Sequence, residues 1–457
     1  MYNAIIGRIT NKLPHTKADR LEFIIVCNTN VITQKDLYEV GDLVVFFPSD
    51  GQLSKQYTDA NDLVARYDEN KVRLNTGYMD ENRRVKAINL RGEKSDGLVA
   101  PISSLQFTNY DLSKLKEGEE FNTLNNILIC SKYYSRATNI KKDKQASNQV
   151  KKLKTTAIFH EHVDTKQLRL YLNTVPLDST IVITSKFHGS SGRQSFTKVT
   201  KEFVPYNIHT KLYNLANKFK SKVKNNQKLK DLIDTGLTRL INRVKYTKTY
   251  YDYVLGTRRV VLDPNKDSKG YYNTDQFRWD SANKIFPKLH KGEEIYYEIV
   301  GYVEGNQMIM PAHDATTTND KEFIKCYGKS INYTYGCDPG ESKTYVYRIA
   351  ITNEDGHQWD LTWEQVKARC AELEVEHVPE IITYYPNHFT NHDDLLEKIQ
   401  EFSNYPNPDG SFAEGVCIRI EKGNKVSFYK EKNWHFKVME GIIKDDPNII
   451  DMEEAES

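Results

Sequence analysis

Two different rhythms of apolar and polar positions run along this chain. Up to about residue 125 the apolar residues come in short bursts, "AIIGRIT", "LEFIIVCN", "LVVFFP" and "RVKAINL" with "GLVAPI". The breaks between them are "KLPHTKADR", "EVGD" and "PSDG". Short β-branched and aromatic runs punctuated by Gly, Pro, Asp and Asn predict strands joined by turns, and several in succession predict a small closed barrel. From residue 126 to 154 the rhythm stops; "YYSRATNIKKDKQASNQVKKLKTT" is polar and basic and reads as a linker. Beyond it "STIVITSKF", "EIYYEIVGY", "TYVYRIAIT", "GVCIRIE" and "KVSFYKEK" predict strands. "LTWEQVKARCAEL" and "HDDLLEKIQEFS" carry apolar residues three or four apart and predict helices, the second capped by the polar run that starts at Asn391. "LYNLANKFKSKV" and "LKDLIDTGLTRLINRV" have the same helical period, so residues 205–250 read as an inserted helical hairpin with a basic outer face. The fold class is α+β.

At 457 residues the chain has room for two or three domains, and 39% hydrophobic with 28% charged residues is the range of a soluble globular protein. Lys plus Arg (64) nearly balances Asp plus Glu (62), so net charge identifies no partner; its distribution says more. Lys211 to Lys248 holds eleven Lys or Arg against Asp231 and Asp234, and Lys141 to Lys154 holds six Lys against Asp143. Such blocks are either solvated faces or nucleic-acid surfaces. The end, residues 441–457, is an acidic tail. None of the cysteines (Cys27, Cys130, Cys326, Cys337, Cys370 and Cys417) forms a Cys-x-x-Cys pair, which argues against a zinc ribbon or redox motif and for reduced thiols in a cytoplasmic setting. The N-terminus lacks a signal core, and no apolar run has the length of a membrane span.

The candidate chemistry begins at "TSKFHGSSGRQSF". Lys186 ends a buried-looking strand, and Gly189 and Gly192 behind it would let main-chain N–H groups approach an anion. It is not a P-loop, because the lysine precedes the glycines. Alone, a lysine ahead of glycines describes an ordinary loop. Five further pieces follow in order: "GTRRVV", "YYEIVGY", "YVYRIAI", "EGVCIRI" and "SFYKEKN".

The ordered series resembles the motifs of the covalent nucleotidyltransferases, the ATP-dependent RNA and DNA ligases and mRNA capping enzymes. The His-Gly-Ser form of the lysine motif is similar to RNA ligases, where DNA ligases more often carry Lys-x-Asp-Gly-x-Arg. "GDLVVFFPSDGQL" and "LRGEKSDGLVAPI" resemble the N-terminal OB domain of one RNA ligase branch. The resemblance covers roughly residues 1–105 and 155–437. It implies an OB-type nucleic-acid-binding barrel over 1–125, and an adenylyltransferase domain of antiparallel sheets flanked by helices over 155–440. The implied activity is ATP-dependent sealing of RNA 3′-OH and 5′-phosphate ends, in a nicked duplex or in single strands, through a lysyl-AMP intermediate with Mg²⁺ or Mn²⁺; a soluble intracellular protein is expected, and the oligomeric state is left open with a monomer favoured.

By motif match Lys186 is the nucleophile. A free lysine titrates at about 10.4 and must be neutral to attack. Lys430, Lys432 and Mg²⁺ are expected to disfavour its ammonium form and to stabilise charge on the phosphates. Arg258 would hold the ribose or the RNA 5′-phosphate, with Arg259 an adjacent alternative. Glu298 would contact the ribose hydroxyl or organise metal, and Glu414 would position Mg²⁺. Tyr347 would stack on adenine, a role Tyr345 could share from two positions earlier on the strand. "FHEHVDT" places His160 and His162 at a metal-compatible spacing, but two histidines make a poor zinc site, and a structural or nucleotide-edge role is expected. Ser185, Ser191 and Arg348 depart from the family pattern and leave the fine substrate specificity open. The rival readings are a DNA ligase or GTP-dependent capping enzyme, which normally carry an OB domain after the last lysine motif, and a non-catalytic RNA-binding relative.

Overall fold

The computed structural model describes residues 2–134, 155–162, 165–203, 246–263 and 274–441, with isolated positions at 211, 214–216, 218–219, 233, 235–236 and 272. Most of the basic linker, the basic insertion and the acidic tail lie outside the described residues.

The N-terminal sheet runs in the order Thr29–Gln34, Leu21–Val26, Ala4–Pro14, Leu43–Phe47 and Leu98–Pro101, all antiparallel, with Glu120–Phe121 also against the first strand. The first strand serves two neighbours. Its residues 5–8 pair with 43–46, and its residues 9–14 pair with 22–26, with a bulge between Ile9 and Asn11. A bulge adds twist and lets one strand turn the corner of a barrel. The run "LVVFF" is apolar throughout because both of its faces are covered. Val44 and Phe46 pack with Ile9, Ile24 and Val26, while Val45 and Phe47 pack with Ile6, Leu53 and Tyr57. Cys130–Lys132, which the sequence placed in the linker, instead pairs with Gly51–Leu53, so this unit continues past residue 125.

The second unit is a pair of sheets. Five strands run Lys166–Gln167, Lys425–Lys432, Gly415–Lys422, Thr180–Lys186 and Glu380–Tyr384. The larger sheet runs Thr155–Ala157, Ser190–Phe203, Glu293–Gly301, Ser342–Thr352 and Gln358–Asp360, with Tyr246–Gly256 and Glu376–His377 attached. Two of the expected helices lie among the described residues, and those of the basic insertion lie outside them. Trp363–Leu373 starts on a capping box of Thr362 and Gln365, and His392–Ser403 is capped by the Asn391 side chain accepting from the Asp394 N–H. Ser190–Phe203 was not expected as a strand, because its polar residues hide the alternation. Gln194 and Ser195 are fully buried between its partners Tyr246–Gly256 and Glu293–Gly301. Among the described residues no helix is long and apolar enough to cross a membrane, and all six cysteines are free thiols.

Candidate active site

Three strands of the smaller sheet set the site by register. Lys186 pairs with Gly415, which pairs with Lys432; two rows back, Thr184 pairs with Cys417, which pairs with Lys430. Alternation along each strand then puts Lys186, Lys430 and Lys432 on one face. The lysine strand is anchored by Ile181, Val182 and Ile183, all essentially buried and each contributing about 2 kcal/mol by burial. Gly415 has φ +146°, and a Cβ there would lie 2.2 Å from the Glu431 carbonyl oxygen, so the position needs glycine. The turn it allows brings Glu414, fully buried, against the lysine: Glu414 Oε1 is 2.6 Å from Lys186 Nζ and 3.7 Å from Lys432 Nζ.

The larger sheet forms the opposite wall. Glu298 accepts a hydrogen bond from the Ser191 hydroxyl at 3.1 Å. Tyr296 pairs with Arg348, but Tyr297 pairs with Val346, which leaves Tyr347 as the extra residue of a bulge. Consecutive Tyr347 and Arg348 therefore both line the cavity, which a regular strand would not permit. Tyr345 lies outside the cavity lining, where it packs edge-on against Phe187 with ring centroids 4.8 Å apart. Burial holds the Tyr347 phenol well above its ordinary pKa, helped by Glu298, and its hydroxyl has no hydrogen-bond partner among the described residues. Arg258 lines the same cavity, and its carbonyl accepts from the His162 N–H at 3.1 Å. Buried Arg193 ties this loop down, donating to the Thr257 carbonyl at 2.9 Å and to the His160 carbonyl.

Behind Glu414 lies a dry aromatic wall. His188 Nδ1 is 3.7 Å from Glu414 Oε2, and the His188 ring lies against Tyr333 and Phe436. His313 accepts from or donates to the Tyr333 hydroxyl at 2.8 Å, and burial, with His188 and Lys432 nearby, pushes its pKa down to about 3. Burial pushes the Cys417 thiol up to about 11, which leaves it a neutral wall residue at neutral pH.

Lys186, Arg258, Glu298, Tyr347 and Lys430 thus line one cavity, and Glu414 and Lys432 flank its lysine. Two expectations change. Gly189 and Gly192 serve packing: a Cβ would meet the Ile299 carbonyl at 2.5 Å in one case and the Tyr297 ring at 2.3 Å in the other. The nearest charge to Lys186 is a carboxylate, which favours the ammonium form, with the expected cations behind it. The two histidines of "FHEHVDT" separate: His160 bonds Glu294 and the Gly356 carbonyl, while His162 lines the cavity 5.5 Å from the Tyr347 ring. Phe428, Arg419 and Trp363 close the far end and were not foreseen. Phe428 and Arg419 were findable, because period two continues from Lys432 and Lys430 to Phe428 and from Gly415 and Cys417 to Arg419. Trp363 comes from a distant helix with no local signal.

Among the described residues no three His, Cys, Asp or Glu side chains gather into a metal cage. Mg²⁺ carried on phosphates needs only one or two carboxylates. Glu414 fits that requirement: both its oxygens are buried, and among the described residues neither makes an aligned hydrogen bond despite the short lysine contact. Glu298, which lines the cavity itself, is the second candidate carboxylate.

A family model described as an OB-fold domain matches residues 3–102. No curated protein matches the chain in sequence. Among solved structures, a mutant of Naegleria gruberi RNA ligase with AMP and Mn is 14% identical, has a TM-score of 0.56, and the match covers 95% of this chain and 97% of that one. A mutant of the same ligase with ATP and Mn gives 0.53 at 14% identity, covering 94% and 96%. The ligase with PPi gives 0.55 at 14%, also covering 94% and 96%. Over nearly its whole length the chain therefore shares the α+β fold of these structures, an OB-fold domain followed by a sheet-rich domain with flanking helices.

Proposed function

We propose that the protein is an ATP-dependent RNA ligase joining 3′-OH and 5′-phosphate RNA ends. The observation that carries this reading is the convergence of Lys186, Glu298, Tyr347, Arg258 and Lys430, from two sheets and a loop, at one cavity, with Glu414 against the lysine. The fold similarity to an RNA ligase whose structures hold ATP, AMP and PPi supports it.

In the first step Lys186 parts from Glu414 and loses its proton, which Lys430 and Lys432 favour once the carboxylate contact is broken. Its nitrogen attacks the α-phosphorus of ATP. A P–N bond forms, the bond to the β-phosphate oxygen breaks, and pyrophosphate leaves. Tyr347 covers the adenine, Glu298 and Arg258 hold the ribose side, and Lys430 and Lys432 face the phosphates. In the second step an oxygen of the RNA 5′-phosphate attacks the same phosphorus, the P–N bond breaks, and the lysine departs and takes a proton. In the third the RNA 3′-oxygen, its proton released, attacks the activated 5′-phosphorus and expels AMP. Glu414 and Glu298 would hold Mg²⁺ or Mn²⁺, which would supply charge stabilisation on the phosphate oxygens. The RNA partner and a cytoplasmic location belong to the same reading.

Incubation with α-labelled ATP should label the protein, and mass spectrometry should place one AMP on Lys186. Label from GTP alone would indicate capping-type chemistry. No label from either nucleotide would leave an RNA-binding protein with this fold. A full AMP adduct on a folded Lys186→Ala variant would falsify the nucleophile.

A further inference from the structure

The far end of the cavity, closed by Phe428 and Trp363, holds two guanidiniums. Arg348 comes from strand Ser342–Thr352 of the larger sheet and Arg419 from strand Gly415–Lys422 of the smaller one. They meet over the Phe428 ring, 5.4 and 5.1 Å from its centroid. Only 5% and 4% of their surfaces are exposed. Both are held in the same way. Arg348 Nε donates to the Asp360 carboxylate at 2.5 Å, and its Nη2 donates to the Gln358 side-chain oxygen at 2.8 Å. Arg419 Nε donates to the Glu421 carboxylate at 2.5 Å, and its Nη2 donates to the Leu361 carbonyl. The nitrogen left over on each is Nη1, buried and without a hydrogen-bond partner among the described residues. A buried donor left unpaired is costly, so two alike in one cavity point to a ligand that accepts from them.

The charge balance says what kind of ligand. Asp360 and Glu421 each neutralise one guanidinium from behind, and neither lines the cavity. The pair therefore presents donors without net charge, which suits a neutral acceptor better than a phosphate. Phe428, Trp363, Tyr347 and Val378 around it leave room for a flat ring. Among the described lining residues the sole carboxylate is Glu298, and guanidiniums have no atom that accepts from an amino group.

We propose that Arg348 and Arg419 are specificity-determining residues that read the base of the bound nucleotide, donating through Nη1 to ring nitrogens of adenine and leaving its 6-amino group unread. The N1, N3 and N7 atoms of adenine are acceptors, whereas its amino group is a donor and finds no partner on this pair. The assignment rests on the ligase reading for the nucleotide in the cavity and goes beyond it, since that reading gives the adenine only to Tyr347. The departure at Arg348 from the family pattern becomes a choice of which atoms on the base edge count.

The test is equilibrium binding to the full chain, read by calorimetry with AMP and its analogues, so that no chemical step is needed. Purine riboside 5′-monophosphate, which lacks only the amino group, should bind within about threefold of AMP. At least one of 1-deaza-, 3-deaza- and 7-deaza-AMP, each with a C–H in place of one ring nitrogen, should bind ~10-fold or more weakly. Arg348→Lys and Arg419→Lys keep a positive charge against Asp360 and Glu421 but remove Nη1. One or both should weaken AMP ~10-fold and bring AMP and the discriminated deaza analogue to within about threefold of each other, a coupling that a merely structural role would not produce. Equal affinity for AMP and all three deaza analogues would overturn the proposal. So would a ~10-fold loss on removing the amino group, weakening of every ligand in equal proportion by both lysine variants, or no binding of AMP. An affinity that ignores the base and is matched by inorganic pyrophosphate would mark a phosphate site and overturn it too. A wild-type protein that shows the expected binding profile but forms no AMP adduct from ATP would sink the ligase reading and leave the base assignment standing. An adduct formed by a protein with a flat profile would do the reverse.

Discussion

Strand Lys425–Lys432 separates two buried charge clusters that obey different rules. On one face Lys430 and Lys432 look toward Lys186 and Glu414; on the other, Glu431 looks toward the barrel. Glu431 accepts from the Arg169 guanidinium and lies 3.3 Å from Lys437 Nζ. Lys437 also donates to barrel residue Asp96 at 2.9 Å, and Arg169 reaches Asp96 at 4.0 Å. Each carboxylate there has two cations and aligned hydrogen bonds. Glu414, equally buried, has Lys186, Lys432 and His188 within 4 Å but, among the described residues, no aligned hydrogen bond. Burying a charge is costly unless hydrogen bonds replace its water. The interface cluster meets that requirement within the protein and fixes the barrel in place. The cluster at the lysine leaves it partly unmet, which suits a site that completes its bonding when substrate arrives.

Substitutions on the two faces should therefore fail in opposite ways. Glu414→Gln should slow adduct formation by at least ~100-fold with little change in Tm, because it removes a charge that lacks aligned partners; quench-flow labelling and calorimetry on one preparation would check this, and a large fall in Tm with normal labelling would reverse the comparison. Glu431→Gln should instead cost about 3–5 kcal/mol of stability, since Arg169 and Lys437 stay buried with one carboxylate fewer, while labelling of the folded fraction falls less than 10-fold. Denaturant titration would measure it.

A smaller effect is readable in acid. Lys437 and Arg169 hold the Asp96 carboxyl down at about 2, against the desolvation that would raise it. A depressed folded-state value means stability that is present above the unfolded carboxylate pKa and lost as pH falls through the folded one. Between about pH 4 and pH 2 the wild type should lose roughly 2 kcal/mol that an Asp96→Asn variant, destabilised throughout, no longer has to lose. Parallel stability curves for the two proteins in that window would show that Asp96 is not the group. Least of all, Tyr345→Phe should change the KM for ATP by less than twofold, whereas Tyr347→Ala should raise it about 10-fold. Equal effects would mean that both rings serve the adenine.

Much of this was legible in the chain. The strand ending at Lys186, the alternation of Lys430 and Lys432 and the Asn391 cap follow from local pattern, and local pattern is what side-chain periodicity and capping chemistry encode. Ordered motif resemblance added Glu298, Glu414, Tyr347 and Arg258. The sequence by itself thus determined which residues carry charge on which strand face. Tertiary structure alone decided the rest. A period of two names a face but not a partner, so the Lys186–Gly415–Lys432 row exists only once three distant strands take their register. The bulge that turns Tyr347 and Arg348 into the cavity together is set by the neighbouring strand. The same holds for Asp96, whose low pKa and whose grip on Lys437, 341 residues away, arise only when the barrel docks and both charges leave water.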